Sequence, residues 1–249
     1  MYENYNCLFR IRNSTFHSPF FILPAIIGII MSKNVILVCK NLRFHLEKAQ
    51  EAMRTNFPVI ELDTSLHKEP DKMRAKILEE IEQIPPEYDT VLAAMGFCGG
   101  SWRDVPVSRR VVIPRMDDCI TMLLTTDDAP VPNRKVPGCM YLTDNRDEQM
   151  TVPGIRRTLI AQCGEKKGDR VFRLYFKHYT HIGIIDTGLY DSYGKEYLDL
   201  AKESADLING SIIHVPGSNR VLEKLVSGEW DSQFLILEPG RTLSDGDFI

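Results

Sequence analysis

The chain predicts an α/β fold of mostly parallel sheet, built from Rossmann-like βαβ units that form two facing lobes. Three observations predict it. From residue 34 onward, short apolar runs bounded by polar residues alternate with amphipathic segments at helical spacing. Two of these runs lead straight into cysteine-bearing turns, GFCGGSW at 96–102 and RMDDCIT at 115–121. In an open α/β sheet such turns lie together at the carboxyl edge, where ligands bind. The second half then repeats the order strand, helix, strand, helix, strand.

Residues 1–30 stand apart. The run FFILPAIIGII at 20–30 is too short to span a bilayer and is interrupted by Pro24. Met31 precedes the first strand directly, so 1–30 is expected to be a non-native or disordered upstream extension, with a signal or membrane anchor and a packed N-terminal element as the alternatives. NVILV at 34–38 reads as a buried parallel strand that ends in Cys39. Asn41 is placed to cap the next helix, on which Leu42, Leu46, Ala49 and Met53 share a face. FPVIEL at 57–62 is the second strand, 67–71 a polar loop, and 71–84 an amphipathic helix stopped by Pro85 and Pro86. Residues 90–95 and 110–114 are the third and fourth strands, and a short helix opens at Cys119. A proline-rich loop covers 126–137. Further strands are expected at 138–143, 181–186, 211–215 and 234–237, with helices at 152–163, 191–209 and 219–227. The segment CGEKKGD at 163–169 reads as a turn, and 170–177 suits helix or strand. The expected lobes are 31–168, with the cysteine-bearing strand ends, and a smaller 169–249.

A chain of 249 residues, 43% hydrophobic and 26% charged, is ordinary for a soluble globular protein. Its net charge of -4, with Lys and Arg scattered, argues against nucleic acid or an anionic membrane as partner. Six cysteines beside this patterning fit reduced thiols and a cytoplasmic location.

Cys39, Cys98 and Cys119 each follow an apolar strand, so one sheet edge can gather them into a soft-ligand site. Zinc is the simplest occupant, taking three thiolates and leaving a position for water or substrate. An iron-sulfur cluster or a corrinoid cobalt also accepts soft ligands. Cysteine equally fills strand ends as a small hydrophobe, as Cys139 and Cys163 are expected to do. Asp118 can support a metal or cap the helix at Cys119. His214, ending the strand SIIH, can supply a fourth ligand or a general acid/base; His178 and His181 are weaker candidates. A small-molecule ligand site is expected at Gly99, Gly100 and Ser101, where a glycine turn exposes backbone N–H groups, with Arg115 and Asp117 beside it. There is no HExxH, GxSxG or CxxC motif, which removes zincin, α/β-hydrolase and thioredoxin readings.

LVC at 37–39, FCGG at 97–100, Pro114 followed by DDC at 117–119, and GCMYLT at 138–143 together resemble the bacterial and archaeal domain-of-unknown-function family 1638. The likeness covers most of 34–237. It implies that Cys98-Gly99 and Asp118-Cys119 match the family's two cysteine motifs and that Cys39 matches a frequent third cysteine. A histidine often found beside the second motif is absent here, where Met116, Asp117 and Asp118 stand. Genes of that family often lie near corrinoid-dependent methyltransferase genes. The resemblance therefore implies a role around methyl transfer, with a corrinoid protein or a methyltransferase as partner.

Two functions follow as expectations. One is a metal-binding α/β protein acting in, or assisting, corrinoid-linked methyl transfer through Cys39, Cys98, Cys119, Asp118 and His214. The other is a metal-free module binding a small anionic ligand on the Gly99-Gly100 turn and Arg115.

Overall fold

The computed structural model describes residues 33–144 and 150–248. The expected extension at 1–30 lies outside them. In chain order the elements are β1 (Asn34–Cys39), α1 (Arg43–Met53), β2 (Val59–Leu62), α2 (Pro70–Gln83), β3 (Thr90–Ala94), β4 (Arg110–Pro114), α3 (Cys119–Leu124) and β5 (Cys139–Leu142). They continue with α4 (Val152–Cys163), α5 (Glu165–Tyr175), β6 (His181–Asp186), α6 (Lys195–Ile208), β7 (Ser211–Pro216), α7 (Arg220–Ser227) and β8 (Phe234–Leu237). Short 3-10 turns at Lys40–Leu42, Thr64–Lys68 and Cys98–Gly100 follow β1, β2 and β3.

The strands form two sheets, and the fold is α/β with mostly parallel pairing. The larger sheet has the order β2-β1-β3-β4-β8, its first four strands parallel and β8 antiparallel on the edge. The smaller, β5-β6-β7, is wholly parallel. Strands β1 and β3 are central and covered on both faces, which is why NVILVC and TVLAA are almost uniformly apolar. Sheet membership crosses residue 168 in both directions: β5, before it, pairs in the smaller sheet, and β8, after it, closes the larger one.

Some local expectations are corrected. Asn41 does not cap α1, which starts without a side-chain cap; its Oδ1 accepts from Thr64 Oγ1 at 3.3 Å. The turn expected at 163–169 is a break at Gly164 alone (φ 77°), after which α5 runs through 165–175. Gly168 serves a different end. A Cβ there would lie 2.5 Å from the Ile160 backbone, so the glycine lets α4 and α5 pack closely. The polar loop expected at 67–71 is instead the end of a 3-10 turn, started by the Asp63 carboxylate accepting from Ser65 N–H, and the first turn of α2.

Candidate metal centre

Parallel order dictates what comes together. With β2 beside β1 and β3 on its other side, the turns after β1, β2, β3 and β4 share one edge. The turns after β3 and β4 are further interlocked: Phe97 N–H donates to Met116 O at 2.9 Å and Cys98 N–H to Asp117 O at 2.7 Å. Gly96 permits this approach, since a Cβ there would stand 2.7 Å from the Asp118 backbone. The following residues Cys98, Gly99 and Gly100 all have positive φ (47°, 69° and 95°). At Cys98 that is a strained conformation for a side-chain-bearing residue.

Cys39 ends β1, His67 lies in the turn after β2, and Cys119 is the first residue of α3. Their sulfur and ring-nitrogen atoms lie within 4.8 Å of one another, a group that could hold a metal ion. Cys39 and Cys119 are buried and His67 is half-buried. The Cys39 Sγ is 2.8 Å from His67 Nε2. Two donors on a tetrahedral zinc stand about 3.5 Å apart, so an ion would require these two atoms to part by less than about 1 Å.

The electrostatics describe thiols and an imidazole sharing protons. The Cys119 S–H donates to Cys39 and, against the opposing effect of burial and with help from His67, holds the Cys39 thiol down at about 5. Cys98 is lowered to about 7, by the Cys119 hydrogen bond first, then by His67, again against burial. Cys119 is pushed well above the usual thiol value, because losing its proton would break its bonds to Cys39 and Cys98 and strand a buried charge. Burial is the largest single influence on His67 and opposes its charge. The hydrogen bonds and negative charge of Cys39 and Cys98 together outweigh it and raise the ring to about 10. An imidazolium thus balances the sulfur charge that a metal would otherwise balance.

Cys98 hydrogen-bonds Cys119 and His67 from beside the three-residue group. Asp118 caps α3, accepting from Thr121 N–H at 2.9 Å, and pairs through its other oxygen with Lys135. Asp117 also pairs with Lys135, at 2.8 Å, so Lys135 is the cation beside the acidic pair. The Arg115 backbone N–H donates to Gln233 O at 2.7 Å. On the glycine turn, Gly100 offers its carbonyl to Arg74 Nη2 at 2.9 Å, and the buried Ser101 hydroxyl donates to Phe97 O. His214 is exposed on the smaller sheet, its ring stacked on Tyr193 at 4.4 Å between centroids. His181 contacts Thr180 Oγ1, His178 is exposed, and Cys139 and Cys163 are free thiols outside the group.

His67 is absent from the expected ligand set. Its signal was positional: β2 pairs with β1, so a histidine just past β2 reaches the edge where Cys39 lies.

A cavity of about 310 Å³ opens beside the group. His67 and Cys119 line one side; Leu142, Thr143, Thr151 and Tyr179 line the other. His45, fully buried on α1, ties the two sides together. Its Nδ1 is 3.0 Å from Asp144 Oδ1 after β5, and its Nε2 is 3.2 Å from Thr187 Oγ1 after β6. Asn219 Nδ2 donates to its carbonyl at 2.9 Å.

Fold and site define an α/β protein whose sheet edge gathers two thiols and an imidazole able to hold a metal. The family described as "Protein of unknown function (DUF1638)" matches residues 61–226, and the chain belongs to it. His67, Cys98 and Cys119 fall inside the matched segment and Cys39 precedes it. No curated protein and no solved structure gives a match. Among the described residues, no helix is long and apolar enough to cross a membrane.

Proposed function

We propose that Cys39, His67 and Cys119 bind a zinc ion whose fourth position faces the cavity, and that the protein acts in, or assists, methyl transfer to a small thiol or alcohol. The convergence of three donor atoms within 4.8 Å at a cavity wall carries the reading. Two sulfurs and one nitrogen make a donor set suited to zinc, and three protein ligands with one open position is the arrangement of catalytic rather than structural sites. An iron-sulfur cluster takes four protein ligands, and this group supplies three. Zinc would supply Lewis acidity, holding an acceptor as its reactive anion near neutral pH. Cys98, bonded to Cys119 and His67, orients two of the donors. Asp118 fixes the start of α3 and so the position of Cys119. The free thiols at Cys39, Cys98, Cys119, Cys139 and Cys163 support placement in a reducing cytoplasm. A corrinoid protein is the methyl donor that the family resemblance implies: its cobalt–carbon bond would break as the sulfur–carbon bond forms, leaving the electron pair on cobalt as cob(I)alamin and releasing the thiol proton.

The test is metal analysis of protein purified without a chelating tag, followed by incubation with methylcobalamin and a small thiol. Stoichiometric zinc, lost in Cys119→Ser with the fold retained, together with metal-dependent thioether formation, is expected. A protein that neither retains nor takes up zinc overturns the metal reading. Zinc without thioether overturns direct methyl transfer to a thiol and leaves the metal reading standing.

A further inference from the structure

The exposed charges of this protein follow a consistent pattern, and one helix breaks it. On α1, Arg43 pairs with Glu47 and Lys48 with Glu51. On α2, Lys72, Arg74 and Lys76 each pair with a carboxylate three or four residues away. On α6, Lys195 pairs with Asp199 and Lys202 with Asp206. Such i,i+3 and i,i+4 pairs are what a solvated helix face looks like in this chain. On α5 and just beyond it, Lys166, Lys167, Arg170 and Lys177 are exposed and make no ion pair among the described residues. Asp169, the one carboxylate in the middle of this helix, is shared by Arg156 and Arg173. In a chain of net charge -4, four described cations without an ion pair thus gather on one element, while Lys33, Lys40 and Arg54 lie singly elsewhere.

The helix also exposes apolar surface: Leu174, 63% exposed, flanks this row of cations, while Tyr175, 60% exposed, lies on the far side of the helix against Tyr179. Lys166, Asp169, Arg170, Arg173, Leu174 and Lys177 border a shallow hollow of about 330 Å³. Lys166, Arg170, Arg173 and Lys177 succeed one another at steps of four, three and four residues, a row of about 16 Å along the helix. Opposite this row Phe172 and Phe176 are buried, so the helix is anchored by its other face. A bilayer surface demands a broad apolar face for insertion, and Leu174 alone does not provide one.

We propose that the α5 stripe docks an acidic amphipathic helix of a partner protein. Carboxylates spaced three and four residues apart on that helix would meet Lys166, Arg170 and Lys177, and an apolar side chain beside them would cover Leu174. The surface is separate from the metal centre, so the proposal stands or falls independently of it.

The probe is a synthetic helical peptide with glutamates at that spacing and leucines between, titrated against the full chain by fluorescence anisotropy. Saturable binding is expected, weakened about tenfold or more in Lys166→Glu/Arg170→Glu, as loss of complementary charge predicts. Leu174→Ser should weaken it further at high ionic strength, where charge attraction is screened and apolar contact remains. An unchanged urea unfolding midpoint serves as the control for an intact fold. Absence of binding, equal binding by the charge-reversed variant, or co-sedimentation with phosphatidylserine vesicles in preference to the peptide would each overturn the proposal.

Discussion

Two sheet edges border the cavity, and they differ in kind. The larger sheet brings Cys39, His67, Cys98 and Cys119, soft donors whose protons are shared. The smaller sheet brings Thr143 and, through the segments after its first strand, Thr151 and Tyr179, together with Met140 and a single thiol, Cys139, that stands outside the three-residue group. Both sheets are parallel where they face this space, so topology alone does not make a metal centre. What distinguishes the first edge is what its bonded turns carry: Phe97 and Cys98 are tied to Met116 and Asp117, which fixes Cys98 and Cys119, whereas the tie at the second edge, Gly217 N–H to Asp186 O, carries no thiol. Donors held on mutually bonded turns keep their separation.

The sharpest way to break this contrast is to remove a donor. Cys39→Ser or Cys119→Ser should weaken zinc binding more than about 100-fold, measured by chelator competition, since loss of a direct ligand exceeds the effect of an outer partner. Wild-type affinity in both variants would mean that the two edges do not differ in function. Next in size is the tie between the walls. His45→Ala removes a fully buried ring bridging Asp144 and Thr187 and should cost about 3 kcal/mol in urea unfolding.

A pH series on metal-free protein sharpens the comparison electrostatically. Cys39, lowered from 9.0 to about 5, contributes stability that is complete above 9.0 and lost as pH falls through about 5. His67, raised from 6.5 to about 10, contributes stability that is complete below 6.5 and lost as pH rises through about 10. With Cys98 lowered from 9.0 to about 7 as well, the sum should climb from about 5 to 6.5, stay level to about 7, climb again to 9.0 and fall toward about 10, read as the unfolding midpoint. Cys39→Ser should flatten the acid limb. Zinc binding near neutral pH should also release about two protons, from His67 and Cys119, visible as buffer-dependent heat in calorimetry. Smaller again, Cys98→Ser should reduce zinc affinity about tenfold, the effect of losing an outer partner. Asp118→Ala should cost about 1 kcal/mol as a lost helix cap.

Much of the larger sheet was legible from sequence because its strands are short apolar runs in βαβ order, and parallel pairing then fixes which ends meet. Cys39 and Cys119 could be placed on one edge by that reasoning alone. His67 could not, because its position depends on β2 lying beside β1 and on a 3-10 turn that local pattern reads as a polar loop. Strand β8 was legible as a strand but not as the antiparallel edge of the first sheet, since four residues carry no record of their partner. The α4–α5 break was misread because Gly164 and Gly168 look alike in sequence, yet one turns the chain and the other admits a neighbouring helix. His214 was expected to end its strand, but β7 continues to Pro216 in the smaller sheet, and the ring packs on Tyr193.

The contact between Gly96 and the Asp118 backbone, 2.7 Å from where a methyl would sit, has a consequence for how the chain could be tailored. Alanine at 96 would act as a spacer, easing the Cys119 sulfur away from Cys39 without altering any donor. Residue 96 is therefore a dial for ionic radius: widening the gap should favour cadmium over zinc, using the same three side chains.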